Sequence, residues 1–264
     1  MFHRYLRIPY TLNVKVFRAP KKPKATFVFV HGIGNSLNAW DEVVKEMPKD
    51  VKLIGIDLLG FGESPMPRWA RYNAKTQARS LGLTLLGLRL TQRPIVVGHS
   101  LGALVAVELA RRYPLAVKEL VLCSPPFYKP EIIAKGIPSQ EDMLRRLYRV
   151  ASRYPDQLVK LSPLAVKLGL ANRSMNITTD HLPSYFAALE ASIINQTSLK
   201  DVSELKLPVS ILYGAFDPVV VGKNIGALKK SNQNITTKRV LAGHEIMGAY
   251  TKELVRYLLQ KIDS

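Results

Sequence analysis

Gly98-His99-Ser100-Leu101-Gly102 directly follows the apolar run Pro94-Ile95-Val96-Val97 and precedes Ala103-Leu104-Val105-Ala106-Val107-Glu108-Leu109-Ala110, which reads as a helix. A strand that turns this sharply into a helix strains the central residue and lifts its side chain above the sheet. The flanking residues have to be glycine, because a Cβ there would collide with the neighbouring strand and helix. The helix also aims its first amides at the same spot, where developing negative charge is stabilised. A bare G-x-S-x-G arises often by chance. In this strand–turn–helix setting it marks Ser100 as a nucleophile.

A serine nucleophile needs a base for its proton and a carboxylate that orients and stabilises that base. Of five histidines, His3 lies in a basic N-terminal stretch, His31 closes an early strand, and His181 falls in an irregular region. His99 sits inside the turn and cannot face its own neighbour. His244 remains, in Leu241-Ala242-Gly243-His244-Glu245, on the loop after the strand-like run 235–240. Upstream, the buried-strand pattern Pro208-Val209-Ser210-Ile211-Leu212-Tyr213 ends in Gly214-Ala215-Phe216-Asp217-Pro218, which puts Asp217 at a strand's C-terminal end. The chain order is therefore Ser, Asp, His, which separates this arrangement from other serine-hydrolase folds. Asp57 also ends a strand, but it lies before Ser100 and reads as a loop-fixing carboxylate. Glu245 reads as a surface or helix-capping group, and His31 as support for the turn that follows it.

That turn belongs to Phe27-Val28-Phe29-Val30-His31-Gly32-Ile33-Gly34-Asn35, a buried strand whose glycine-bearing end frees backbone amides. Acyl transfer needs two N–H groups pointed at the incipient oxyanion, and losing one donor typically costs about 10²–10³ in rate. The natural pair is Ile33 and Leu101.

With these stretches, with Asp57-Leu58-Leu59-Gly60-Phe61-Gly62-Glu63-Ser64, and with the segments at 214–219 and 243–245, the chain resembles the α/β-hydrolase superfamily. Its similarity is to the branch of small lidded serine esterases, monoglyceride lipases, cofactor-free haloperoxidase-like proteins and C–C bond hydrolases. The resemblance implies Ser100 as nucleophile, Asp217 as acid, His244 as base and Ile33 and Leu101 as oxyanion amides. It implies no cofactor and no metal. A serine nucleophile disfavours the aspartate-using dehalogenase and epoxide-hydrolase branches. Ile33-Gly34 in place of a three-glycine run points away from esters of bulky tertiary alcohols. Ala103 stands where many relatives have a second glycine, a departure expected to be neutral.

Strands and helices alternate from residue 10 to 123, with strands expected at 10–17, 25–30, 51–57 and 117–123 and helices at 37–47 and 73–90. Such alternation gives an α/β fold with a mostly parallel sheet covered on both faces. From about 127 to 200 the strands stop, and Met143–Ala151, 158–170 and 184–194 carry helical apolar spacing. The family places a helical cap between its sixth and seventh strands. The expected division is a core of 1–126 and 201–264 and a cap, or lid, of 127–200. Leu158, Leu161, Leu164, Val166 and Leu168 form an apolar surface expected to turn from water. Leu158, Leu161 and Leu168, with Val219, are candidates for the substrate pocket, and packing of cap on core is the competing reading.

With 264 residues, 47% of them hydrophobic, the chain can bury a large single core. One cysteine, Cys123, excludes an internal disulfide framework and a multi-cysteine metal site, and reads as a core thiol. The first residues lack the apolar stretch of a signal peptide, and no segment is long and apolar enough to span a bilayer, so a cytoplasmic protein is expected. The net charge of +18 is uneven: residues 64–107 contain no acid but carry Arg68, Arg71, Lys75, Arg79, Arg89 and Arg93. Such a field could steer anionic or lipid-like substrates, or contact an anionic membrane; simple solvation is the plainer reading. No specific nucleic-acid motif accompanies the charge. The expected activity is hydrolysis of carboxylic esters of short to medium acyl chain through an acyl-enzyme. A C–C bond hydrolase, a thioesterase or acyltransferase, and a ligand-binding receptor on the same fold remain open.

Overall fold

The computed structural model describes residues 3, 8–129, 139–168, 171–175 and 177–262. Strands β1 (Val14–Arg18), β2 (Thr26–Val30), β3 (Lys52–Ile56), β4 (Ile95–His99), β5 (Glu119–Cys123), β6 (Val209–Gly214) and β7 (Ile235–Val240) form one seven-stranded sheet in the order β1-β3-β2-β4-β5-β6-β7. Only β1 runs antiparallel to its neighbour; every other pairing is parallel. Helices α1 (Asp41–Glu46) and α9 (Ala249–Leu259) cover one face, while α2 (Ala74–Gly87), α3 (Leu101–Arg112), α7 (Ser198–Ser203) and α8 (Gly222–Ser231) cover the other.

The two-residue side-chain period of a strand builds two cores at once. In β2, Val28 and Val30 point into the layer with α2 and α3, whereas Phe27 and Phe29 pack opposite, against Trp40 and the α9 side chains. The Phe29 and Trp40 ring centroids are 5.0 Å apart. Both faces being covered explains why β2 and β4 read as unbroken apolar runs. Cys123 is fully buried in β5, as its sequence context implied.

β1 begins four residues later than the expected strand. The amides of Leu12 and Asn13 donate to the side-chain oxygens of Thr84 and Ser64, both at 2.9 Å, so ladder pairing starts only at Val14. Between β5 and β6 the described residues form no strand. They build α4 (Gln140–Arg153), α5 (Pro155–Lys167), α6 (Leu182–Ala188) and a π-helical turn, Leu189–Ile194. The helical segment therefore follows the fifth described strand, not the sixth expected from the family pattern, because this sheet has one strand fewer before it. The expected helix 158–170 starts at Pro155, where a proline in the first turn forgoes no intrahelical bond. Residues 169 and 170, like 176 and the basic N-terminal residues 4 and 7, lie outside the described set.

Candidate active site

Because β4 ends at His99 and α3 begins at Leu101, Ser100 alone makes the turn, at φ 51° and ψ −115°. A non-glycine residue held there stores roughly 1–3 kcal/mol, which the surrounding packing must offset. The flanking glycines are steric requirements. A Cβ on Gly98 would stand 2.5 Å from the Gly102 carbonyl oxygen, and one on Gly102 would stand 2.3 Å from that of Val30. The Ser100 amide donates to the Cys123 carbonyl at 2.9 Å, tying the turn to the neighbouring strand end.

Asp217 follows β6, and its carboxylate is held on both oxygens. Oδ1 accepts from the amides of Val219 at 2.8 Å and Val220 at 3.2 Å, and Oδ2 lies 2.8 Å from Nδ1 of His244. Ser124 adds a side-chain hydrogen bond. Burial by itself pushes the Asp217 carboxyl up, but the His244 bond and charge and the Ser124 and Val219 donors outweigh it and hold it below its ordinary value. For His244 burial acts downward, and the Asp217 bond and charge overcome it, so the imidazole is raised. With Asp217 ionised, Nδ1 has to be the donor, which leaves Nε2 of the neutral ring as an acceptor.

Two features that hold the His244 loop were missed from sequence. His99, set aside as a base, has Nε2 3.0 Å from the His244 carbonyl oxygen, and the two rings lie 5.0 Å apart. Burial, with the His244 charge, depresses His99 to about 3, so it stays neutral and donates that bond. The second feature is Gly214 at the end of β6. A Cβ there would sit 2.1 Å from the Gly243 carbonyl oxygen and 2.4 Å from that of Ala242, so the His244 loop rests directly on the backbone of β6. A glycine at a strand's end is a usable signal for such an approach, though it does not say what approaches.

The turn after β2 meets Ser100 directly: a Cβ on Gly32 would lie 3.2 Å from Ser100 Cβ. Leu101 is the first residue of α3, where the amide has no helical acceptor. The Ile33 amide likewise has no acceptor among the described residues. His31 is buried and shapes the same turn, with Nδ1 2.7 Å from the Gly32 carbonyl oxygen and Nε2 accepting from the Leu58 amide at 2.9 Å. Asp57 fixes loops as expected, accepting from the Leu37 amide, the Asn13 side chain and the Glu63 amide at 2.6, 2.8 and 3.0 Å.

Three expectations are corrected. Glu245 is neither a surface nor a capping group: it is half-buried, accepts a hydrogen bond from the Asn172 backbone, and is raised chiefly by burial. Leu161, Leu164 and Leu168 face solvent, Leu161 being 58% and Leu168 63% exposed, because nothing among the described residues packs over that side of α5. Leu158 and Leu161 line an apolar hollow of about 420 Å³ with Tyr154, Ile177 and Tyr185, but Leu168 does not. Ile177 and Tyr185 also border the turn after β2, since a Cβ on Gly34 would lie 3.3 and 3.2 Å from them. The backbone of Val219 bears on the site, its amide holding Asp217 and its carbonyl accepting from Tyr128 Oη at 2.9 Å.

Among the described residues, donor atoms of His99, His244 and Glu245 lie within 4.8 Å of one another. His99 Nε2 is already spent on the His244 carbonyl and His244 Nδ1 on Asp217, so this set serves the histidine loop better than an ion.

A profile of the alpha/beta hydrolase fold matches residues 25–248. The chain is 34% identical over 114 residues to a probable lysophospholipase, BODYGUARD 4, of Arabidopsis thaliana; the match covers 42% of this chain and 27% of that protein. The chain thus spans about a quarter of the length of that curated relative. Among solved structures it is similar to a thermophilic esterase from Thermogutta terrifontis, with a TM-score of 0.71 and 21% identity, covering 96% of this chain and 94% of the other. A bromoperoxidase from Bacillus anthracis aligns with a TM-score of 0.75 and 18% identity over 96% and 95% of the two chains.

Proposed function

The chain belongs to the alpha/beta hydrolase fold family, and from that premise we propose that it is a serine hydrolase cleaving carboxylic esters through an acyl-enzyme on Ser100. The observation that carries this reading is the 2.8 Å contact between Asp217 Oδ2 and His244 Nδ1, set on two adjoining strand-end loops beside a serine held at φ 51°. Ser100 Oγ attacks the ester carbonyl while His244 Nε2 takes its proton. The amides of Ile33 and Leu101 receive the oxyanion, and His244 then passes the proton to the leaving alkoxide. Water, deprotonated by the same nitrogen, releases the acid and restores Ser100. Asp217 holds the tautomer that leaves Nε2 free and stabilises the imidazolium.

Residues 127–200 act in this reading as a lid on a core of 1–126 and 201–264. Supporting it are bonds from the helical segment to loops around the site: Ser174 Oγ to Asn35 Oδ1 and Ser184 Oγ to the Gly60 carbonyl, both at 2.8 Å. The hollow beside Leu158, Leu161, Ile177 and Tyr185, two of whose walls (Ile177 and Tyr185) pack close to Gly34, would take the acyl chain. Its size suits short to medium chains, with each buried methylene contributing about 0.8 kcal/mol. The similarity to an esterase and to a probable lysophospholipase supports ester chemistry. A panel of p-nitrophenyl esters tests the reading: kcat/KM should climb from acetate to an optimum and then fall, and Ser100→Ala should abolish turnover. A flat profile removes the acyl groove, and no turnover of any ester removes the ester-hydrolase reading.

A further inference from the structure

Within the acid-free stretch 64–107, β4 and the start of α3 are buried, and the basic side chains lie on and around α2. Two hollows lie on it and share Pro9 and Arg79. The first, of about 400 Å³, is walled by Tyr10, Trp69, Arg71, Lys75, Arg79 and Ser80. The second is lined by Leu83, Leu86, Arg89, Arg93, Tyr113 and Leu115. No acidic side chain lines either among the described residues. This face also carries a concentration of exposed large apolar side chains, with Trp69 at 41%, Leu86 at 76% and Leu115 at 82% exposure, together with Ile8. In the wall of the first hollow the Ser80 hydroxyl is buried with no partner among the described residues.

A purely basic face would suit any polyanion, and a purely apolar one would suit a protein. Leucines and a tryptophan set among arginines, with no acid between them, fit one surface that presents both phosphate and hydrocarbon. We propose that the outer face of α2 docks on a bilayer containing anionic phospholipid. Trp69, Leu86 and Leu115 enter the headgroup boundary, and Arg71, Lys75 and Arg79 engage the phosphates, one of them seated in the hollow where Ser80 Oγ lacks a partner. Aromatic and aliphatic side chains gain there by leaving water, while each cation near such a surface adds a roughly constant increment of binding. The hollow is therefore a headgroup site distinct from the Ser100 site, and the inference does not depend on the ester reading.

Tryptophan fluorescence reads this directly, because the chain has two tryptophans and Trp40 is fully buried. Vesicles of phosphatidylglycerol and phosphatidylcholine should shift Trp69 emission to the blue, vesicles of phosphatidylcholine alone should not, and salt should weaken the response. Arg71→Gln with Lys75→Gln should lower the partition coefficient about 25-fold, about fivefold for each cation. Leu86→Ser with Leu115→Ser should also weaken binding. Hydrolysis of a soluble p-nitrophenyl ester should be unchanged in both variants, which separates this test from that of the catalytic reading and reports an intact fold. The docking face is refuted by equal binding to both vesicle types, by binding to neither, or by full binding of the Arg71/Lys75 variant. It is equally refuted if Leu161→Ser with Leu164→Ser, on α5, abolishes binding while the α2 variants keep it. A saturable shift with inorganic phosphate alone, or tighter binding to a duplex oligonucleotide than to vesicles, would also overturn it.

Discussion

Replacing Gly214 with alanine should disable turnover without touching any reacting atom. The new Cβ would lie 2.1 Å from the Gly243 carbonyl oxygen, and both atoms in the clash belong to backbone, so no side chain can swing away. Reaching ordinary van der Waals separation requires the His244 loop to retreat by about 1 Å. That retreat stretches the 2.8 Å bond from His244 Nδ1 to Asp217 and shifts Nε2, the atom proposed to take the Ser100 proton. A misplacement of about 1 Å in a reacting group can cost on the order of 10²-fold, so kcat should fall about a hundredfold with KM little changed. Overpacking should also cost about 1–3 kcal/mol of stability, lowering the melting midpoint by several degrees. Gly226→Ala is the control. It lies on α8 with nothing within 4 Å of the added methyl, and it should keep kcat and gain about 0.5–1 kcal/mol from helix propensity. Steady-state kinetics on a p-nitrophenyl ester and a thermal melt by circular dichroism suffice. Gly214→Ala with kcat within threefold of the parent would refute the idea that backbone contact sets the histidine's position.

In the proposed mechanism His244 takes a proton only when neutral, and its imidazole is raised above the ordinary value of 6.5, so kcat/KM should rise with pH through a midpoint above that value. Asp217→Asn removes the bond and charge that raise it and leaves the burial that lowers it, so the residual activity should rise at a more acid midpoint; an unmoved limb in a pH–rate profile contradicts this. The same variant should lose about 10⁴ in kcat, whereas Asp57→Asn should keep kcat and lose about 1.5–3 kcal/mol in denaturant unfolding, because Asp57 accepts bonds from three loop donors. The reverse pattern would mean the acid is misassigned. Ser100→Ala and His244→Ala should each cost several orders of magnitude and the pair hardly more; additive losses in single-turnover rates would argue against a unit.

What could be read from sequence was what depends on fixed local offsets. The strained turn at Ser100 is specified by Gly98 and Gly102 two residues to either side, and both glycines meet backbone in the fold. Asp217 was legible as a strand-end carboxylate because β6 is a short buried apolar run with a clear end, and β7, a half-exposed edge strand, was found at its full extent from its β-branched run. Contacts between distant segments were not legible. His99 looked idle because its partner, the His244 carbonyl, is 145 residues away. Glu245 looked like surface because the Asn172 amide that it meets lies in the helical segment between β5 and β6. The α5 leucines show the complementary limit: periodicity identifies a helix face, but only packing decides what covers it, and Leu161 and Leu168 are left in water.

The central claim is that Ser100 is an activated hydroxyl, and a fluorophosphonate probe followed by peptide mass mapping tests it most directly. Activation by His244 should single out one serine, so the folded protein should take up one equivalent of probe, on the peptide containing Gly98-His99-Ser100-Leu101-Gly102. His244→Ala should take up almost none over the same interval. An adduct on a different serine, or no adduct on Ser100 in protein with a normal melting transition, would contradict the account.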